Sequence, residues 1–102
     1  MKGATAVTEG APLTGAPHRT IGPFDAETLP AGLRAEHRLK AGTWGVVRLL
    51  EGSLSFAWDD GTGRTDRVTA PAEVIVPPQV PHHVQGAGPF TLTIAFFRES
   101  EA

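Results

Sequence analysis

The sequence predicts an all-β protein, a sandwich or barrel of short strands, and three observations carry that prediction. Apolar and small or polar residues alternate in SLSFAW and again in FTLTIAFF, which is the period of a half-buried strand. Glycine (12) and proline (9) recur between such runs along 102 residues, as short strands joined by turns require. No long segment carries the 3.6-residue period of an amphipathic helix.

Taken in order, residues 1 to about 20 are rich in Gly, Ala, Thr and Pro with little apolar pattern. They read as an arm or an extended strand docked on the surface, and residues 1–16 are assigned to a flexible arm. FDAETLPAGL predicts a short helical turn, with Asp25 as its cap and Pro30 at its end. RAEHRLK alternates enough to predict a strand. TWGVVRLLEG predicts a second strand closed by a turn at Gly52, and SLSFAW a third, with Leu54, Phe56 and Trp58 on one face. DDGTGRT is a hairpin turn in which Gly61 and Gly63 supply permissive backbone. DRVTA, EVIVP and HHVQ are short strand pieces. In FTLTIAFF, Phe90, Leu92, Ile94 and Phe96 share one face. The aromatic set Phe56, Trp58, Phe90 and Phe96 is expected in the core.

Composition narrows the function. The length suits one domain, here 17–102. The formal net charge is -2 and the basic residues are scattered, so no basic stripe for nucleic acid is present. No apolar run approaches a bilayer span, and the N-terminus lacks the apolar core of a secretory signal; a cytoplasmic protein with no membrane partner is the expectation. There is no cysteine, which excludes disulfides, thiolate metal sites and a cysteine nucleophile. A transition metal would have to use His, Asp, Glu, Gln or water, a chemistry open to zinc, iron, manganese or nickel.

Two segments carry the functional signal, EHRLKAGTWGVVRLLEGSLSF and APAEVIVPPQVPHHV. Their order and texture resemble the two motifs of the cupin superfamily. The first is a histidine-bearing strand leading to an apolar strand and the turn Leu50, Glu51, Gly52. The second is an apolar strand, a proline-rich bend and a histidine. PPQVPH follows the second motif except that Gln79 stands where a glycine is usual. The runs PHRT, FDAETLP, AGLRAEHRLKAGTWG, LLEGSL, VPPQVPHHV and TIAFF are more closely similar to the small cupin domain of YeaR-like proteins and to the N-terminal domain of some TehB tellurite-resistance proteins. The run from His37 through Gly45 is the most specific part. The resemblance implies a single-domain cupin, a double-sheet jelly-roll β-barrel, and no defined reaction. TehB's methyl transfer belongs to a separate domain.

The motif register assigns the pocket to His82 and points His83 the other way, since successive strand residues face opposite sides. His37 and His82 are the candidate metal ligands, holding one divalent ion (zinc, iron, manganese or nickel). Lys40, Trp44 and Gln85 are candidates for a small-molecule or anionic ligand. The usual cupin ligand set is incomplete, because the glutamate position falls on Gly45. Related chains often carry acidic residues where this one has Gln85 and Ala95. Against each candidate stands a structural role: a hydrogen-bonded strand histidine for His37, an exposed strand lysine for Lys40, a core or wall residue for Trp44. The expected function is a small stress-associated binding module related to tellurite-resistance proteins. The alternative is a metal-dependent oxygenase or isomerase acting on a small polar substrate. Glu36 is the sole carboxylate next to the histidines in sequence, and alternation sets it on the opposite face from His37, so the enzyme reading is the weaker one. A homodimer is expected, because small barrels expose sheet edges and apolar faces.

Overall fold

The computed structural model describes residues 17–99; the arm assigned to 1–16 lies outside them. Six strands follow in order: β1 Arg19–Asp25, β2 Thr43–Trp58, β3 Thr65–Thr69, β4 Ala72–Val76, β5 His82–Gln85 and β6 Phe90–Arg98. All pairings are antiparallel. The one helical element among the described residues is a single 3₁₀ turn, Ala31–Leu33. No helix there is long and apolar enough to cross a membrane.

The strand β2 organises the molecule. Its first half pairs with β4 and β6, and β6 pairs onward with β1. Its second half pairs with β3 and β5. Two antiparallel sheets therefore share one strand. The pairings form an open path, β1–β6–β2–β3, with β4 and β5 branching from β2. The architecture is all-β and antiparallel, and no pairing among the described residues closes it into a barrel.

Sequence reading divided β2 into two strands with a turn at Gly52. The chain instead runs through Gly52 at a φ of +79°, just past a register shift between Leu49 and Glu51. A bulge bends a strand and strengthens its twist, so this corner carries β2 from one sheet to the other. Glycine is required there twice over. The left-handed φ disfavours a Cβ, and a Cβ would collide with the Pro89 carbonyl oxygen and sit 2.8 Å from Phe90 Cα.

Two other expectations need correction. RAEHRLK is not a strand; it is a loop whose backbone pairs with the sheet through an isolated bridge between His37 and His82. RTIGPFD, not read as a strand, is β1. Its Gly22 and Pro23 erase the alternation, and the structure absorbs them in a register shift between Ile21 and Phe24. Proline is tolerated there because β1 is an edge strand. FDAETLP makes the single turn expected of it: the Asp25 carbonyl accepts from the Thr28 and Leu29 N–H groups at 3.2 and 3.0 Å. Asp25 caps that turn, its Oδ1 accepting from the Glu27 and Thr28 backbone N–H groups at 2.8 and 2.9 Å. Pro30 ends it and leads into the 3₁₀ turn.

The hairpin at DDGTGRT forms as read. Trp58 N–H donates to the Arg64 carbonyl at 2.9 Å, and Asp60 Oδ1 accepts from the Thr62 hydroxyl at 2.7 Å. The inward faces of both sheets meet in one core. Phe56, Leu49, Leu92, Val74 and Val76 are its most buried side chains, with Leu54, Trp58 and Phe90 beside them, and Phe96 packs against its margin.

Candidate functional site

The proline-rich bend sets the site. Gln79 occupies a φ of +65°, the left-handed region that favours glycine; this accounts for the glycine expected at that position. Its N–H donates to the Leu39 carbonyl at 2.8 Å, tying the bend to the loop that carries His37. The chain then enters β5 with His82 buried and facing inward. The His37 and His82 backbones exchange hydrogen bonds of 3.0 and 2.9 Å, and their rings meet edge to face with centroids 4.2 Å apart.

Both imidazoles are oriented the same way. His37 Nδ1 lies 2.9 Å from the Ala35 carbonyl oxygen, and His82 Nδ1 lies 2.7 Å from that of Val80. A carbonyl only accepts, so both Nδ1 atoms carry the proton and donate. Each Nε2 is left with a lone pair and no hydrogen-bond partner among the described residues. His82 stacks on Phe56, with centroids 5.2 Å apart and planes 16° apart, and lies 6.0 Å from the Trp58 ring. Burial among these rings lowers its pKa to about 4; the Val80 carbonyl opposes that shift, and the His37 charge reinforces it. His82 is therefore neutral at neutral pH.

The two rings line an apolar cavity of about 60 Å³, together with Leu33, Leu39, Val47, Phe56 and Phe96 among others. Gly45 lines it too. A Cβ built there would meet Leu39 Cδ1 at 3.1 Å, so Leu39 occupies the space beside the position where the resemblance would set a glutamate. No carboxylate lines the cavity. No group of three or more His, Cys, Asp or Glu side chains among the described residues is placed to hold a metal.

The remaining candidates lie elsewhere. Trp44 faces away from the core, beside Phe97, and its Nε1–H donates to Glu99 Oε2 at 3.1 Å. Lys40 is exposed in the loop before β2 and does not line the cavity. Gln85 is exposed on the outer face of β5, three residues beyond His82 and hence on the opposite side. Glu36 is exposed and 3.7 Å from Arg38.

His83, expected to meet only water, has partners. Its Nδ1 donates to Asp59 Oδ2 at 2.7 Å, and Gln85 Nε2 lies 3.0 Å from its Nε2. Alternation told which way His83 faces. It carried no sign of Asp59, which is 24 residues away in sequence and reaches His83 only through the β2–β5 pairing.

Comparison with known proteins completes the description. A family model described as a TehB-like domain matches residues 19–94. The crystal structure of TehB from Haemophilus influenzae superposes with a TM-score of 0.73 at 24% identity, over 81% of this chain and 31% of that one. A crystal structure of a protein from E. coli (strain K12) superposes with a TM-score of 0.73 at 18% identity, over 83% of this chain and 91% of that one. At these identities the likeness is one of fold. The chain spans about a third of the Haemophilus protein. A search of curated proteins returns no match. The family match spans most of the strands and both histidine-bearing segments, and on it the chain belongs to the TehB-like domain family.

Proposed function

We propose that this domain is a small-ligand binding module of the cupin jelly-roll type, as in YeaR-like proteins, with its site at the His37–His82 pair. One observation carries the reading: two imidazoles, each locked by a backbone carbonyl, present Nε2 atoms without a hydrogen-bond partner among the described residues, beside an apolar cavity. Such a pair accepts hydrogen bonds from a small polar molecule whose apolar part fills the cavity. The same donors suit a divalent metal ion, since a metal-bound imidazole characteristically donates its other N–H to a carbonyl or carboxylate. Two protein ligands are one fewer than a catalytic zinc site usually holds, so a metal here would be weakly anchored and completed by water. No carboxylate lines the cavity, so no acid–base group is left there beyond the two imidazoles that would hold the ligand, which favours binding over the oxygenase or isomerase reading. The tie to tellurite resistance rests on family membership.

Isothermal titration of the full chain with zinc, and separately with nickel, tests the site. His37→Ala and His82→Ala should each weaken binding more than about tenfold, while His83→Ala leaves it near wild type. Binding should also fall as the pH drops towards about 4, where His82 takes up its proton. Equal losses for His82→Ala and His83→Ala would place the site on the wrong face.

Homodimerisation belongs to the same proposal. The outer face of the first sheet carries Trp44 and Phe97, both partly exposed, an apolar surface that a small domain covers more readily as a pair. Sedimentation velocity at micromolar concentration should give a dimer; a clean monomer would remove this part of the reading.

A further inference from the structure

We propose that the recess on the outer face of the second sheet, formed by Arg67, Ser53, Ser55, Gln85 and the glycine loop after β5, binds a small oxyanion or carboxylate. This site is on the opposite side of β5 from the histidine pair and does not depend on it.

Register builds the site. Ser55 pairs directly with Arg67 on β3 and with Gln85 on β5. Directly opposed residues share a face, so Arg67, Ser55 and Gln85 form a polar row across three strands. Ser53, two residues back, lies on the same face. These side chains line a recess of about 270 Å³ that continues over Gly86 and Gly88. Nothing in the core requires polar residues here, since the buried partners of this sheet are Leu54, Phe56 and Val84 on the other face.

The donors are available. Arg67 Nη2 donates to Ser53 Oγ at 3.0 Å, and the guanidinium has no acidic partner among the described residues. Other arginines of the domain are engaged: Arg48 with Glu73, Arg64 with Asp66, and Arg34 with two backbone carbonyls. Ser55 Oγ has no hydrogen-bond partner among the described residues. Gly86 and Gly88 adopt φ values of +133° and +91°, and no backbone acceptor among the described residues takes their N–H groups. A guanidinium fork with hydroxyl and backbone N–H donors around it is the donor set that oxyanions and carboxylates accept from.

Gln85 is turned by its neighbours. Asp59 Oδ2 accepts the His83 Nδ1 proton, and the Gln85 NH₂ group lies against the other ring nitrogen, Nε2, across 3.0 Å. One N–H is used and the second remains for a ligand. The Asp59 carboxylate, which would oppose an anion, is hydrogen-bonded to the His83 ring one row of residues further along the sheet.

The test is a titration of the isotopically labelled full chain with inorganic phosphate, and separately with acetate, at constant ionic strength set with chloride. Amide shifts should saturate and be confined to Ser53, Ser55, Arg67 and residues 85–88. Phosphate binding tighter than acetate identifies an oxyanion site; the reverse identifies a carboxylate site. Arg67→Gln should weaken binding about tenfold or more, Ser55→Ala a few fold, and Arg67→Lys should retain only part of the affinity because the fork is lost. Arg98→Gln, on the first sheet, should change nothing. Shifts that grow linearly without saturating, or that spread over all exposed basic residues, would overturn the proposal. So would equal losses for Arg67→Gln and Arg98→Gln. The wild-type shift map decides the matter even if a variant misfolds.

Discussion

Acidification should weaken the fold through His82 in particular. Its imidazole titrates at 6.5 when unperturbed and at about 4 in the folded domain, chiefly because burial disfavours the charged ring. The unfolded chain therefore binds a proton that the folded chain refuses. Stability rises with pH wherever the unfolded state holds more protons, so this contribution is complete above about pH 6.5 and is lost as the pH falls towards 4. Between about pH 7.5 and about pH 5 the linkage amounts to about 2 kcal/mol. Repulsion from a charged His37, 4.2 Å away ring to ring, is a smaller part of the same depression. Urea denaturation at both pH values measures the loss, and with a slope of about 1.5 kcal/mol/M the wild-type midpoint should fall by about 1.3 M from this source alone. His82→Phe keeps the stack on Phe56 and forfeits the bond to the Val80 carbonyl, a pH-independent cost of about 1 kcal/mol. Its acid loss should be smaller than that of the wild type by about 2 kcal/mol. Asp25 and Asp60, both held below the ordinary carboxylate range by hydrogen bonds from Glu27, Thr28 and Thr62, lose stability in acid in both proteins and cancel in the comparison. An equal acid loss in wild type and variant would refute the reasoning.

The corner and the bend make two further predictions. Gly52→Ala combines a left-handed φ with a collision against the Pro89 carbonyl and should cost about 3 kcal/mol or more, lowering the melting midpoint by more than about 10 °C; a shift of a degree or two would mean that β2 does not bend where described. Gln79→Gly relieves a left-handed residue, worth about 1 kcal/mol, against the extra entropy of an unfolded glycine, about 0.5 kcal/mol. A small gain in urea midpoint is expected, and Gln79→Val, a β-branched residue at the same φ, should lose stability.

Local periodicity made much of this molecule legible. Alternation in SLSFAW and FTLTIAFF identified strands and their inward faces, because a strand's side chains change sides at every residue. Asp and Gly in DDGTGRT identified the hairpin, because few other residues tolerate its backbone. The same alternation separated His82 from His83 and, followed three residues further, would have moved Gln85 away from the pocket. Other features depended on which segments meet. β1 hides behind Gly22 and Pro23, and is a strand only because β6 offers it an edge. Gly52 looks like any turn glycine until the Pro89 backbone is found against it. Trp44 stood in the most specific motif, yet pairing with β6 turns it outward. His37 and His82, 45 positions apart in the chain, share a site because their backbones bridge, and Leu39 fills the space beside Gly45. Contacts of that kind follow from register between distant strands, which the tertiary structure sets and no local run of residues encodes.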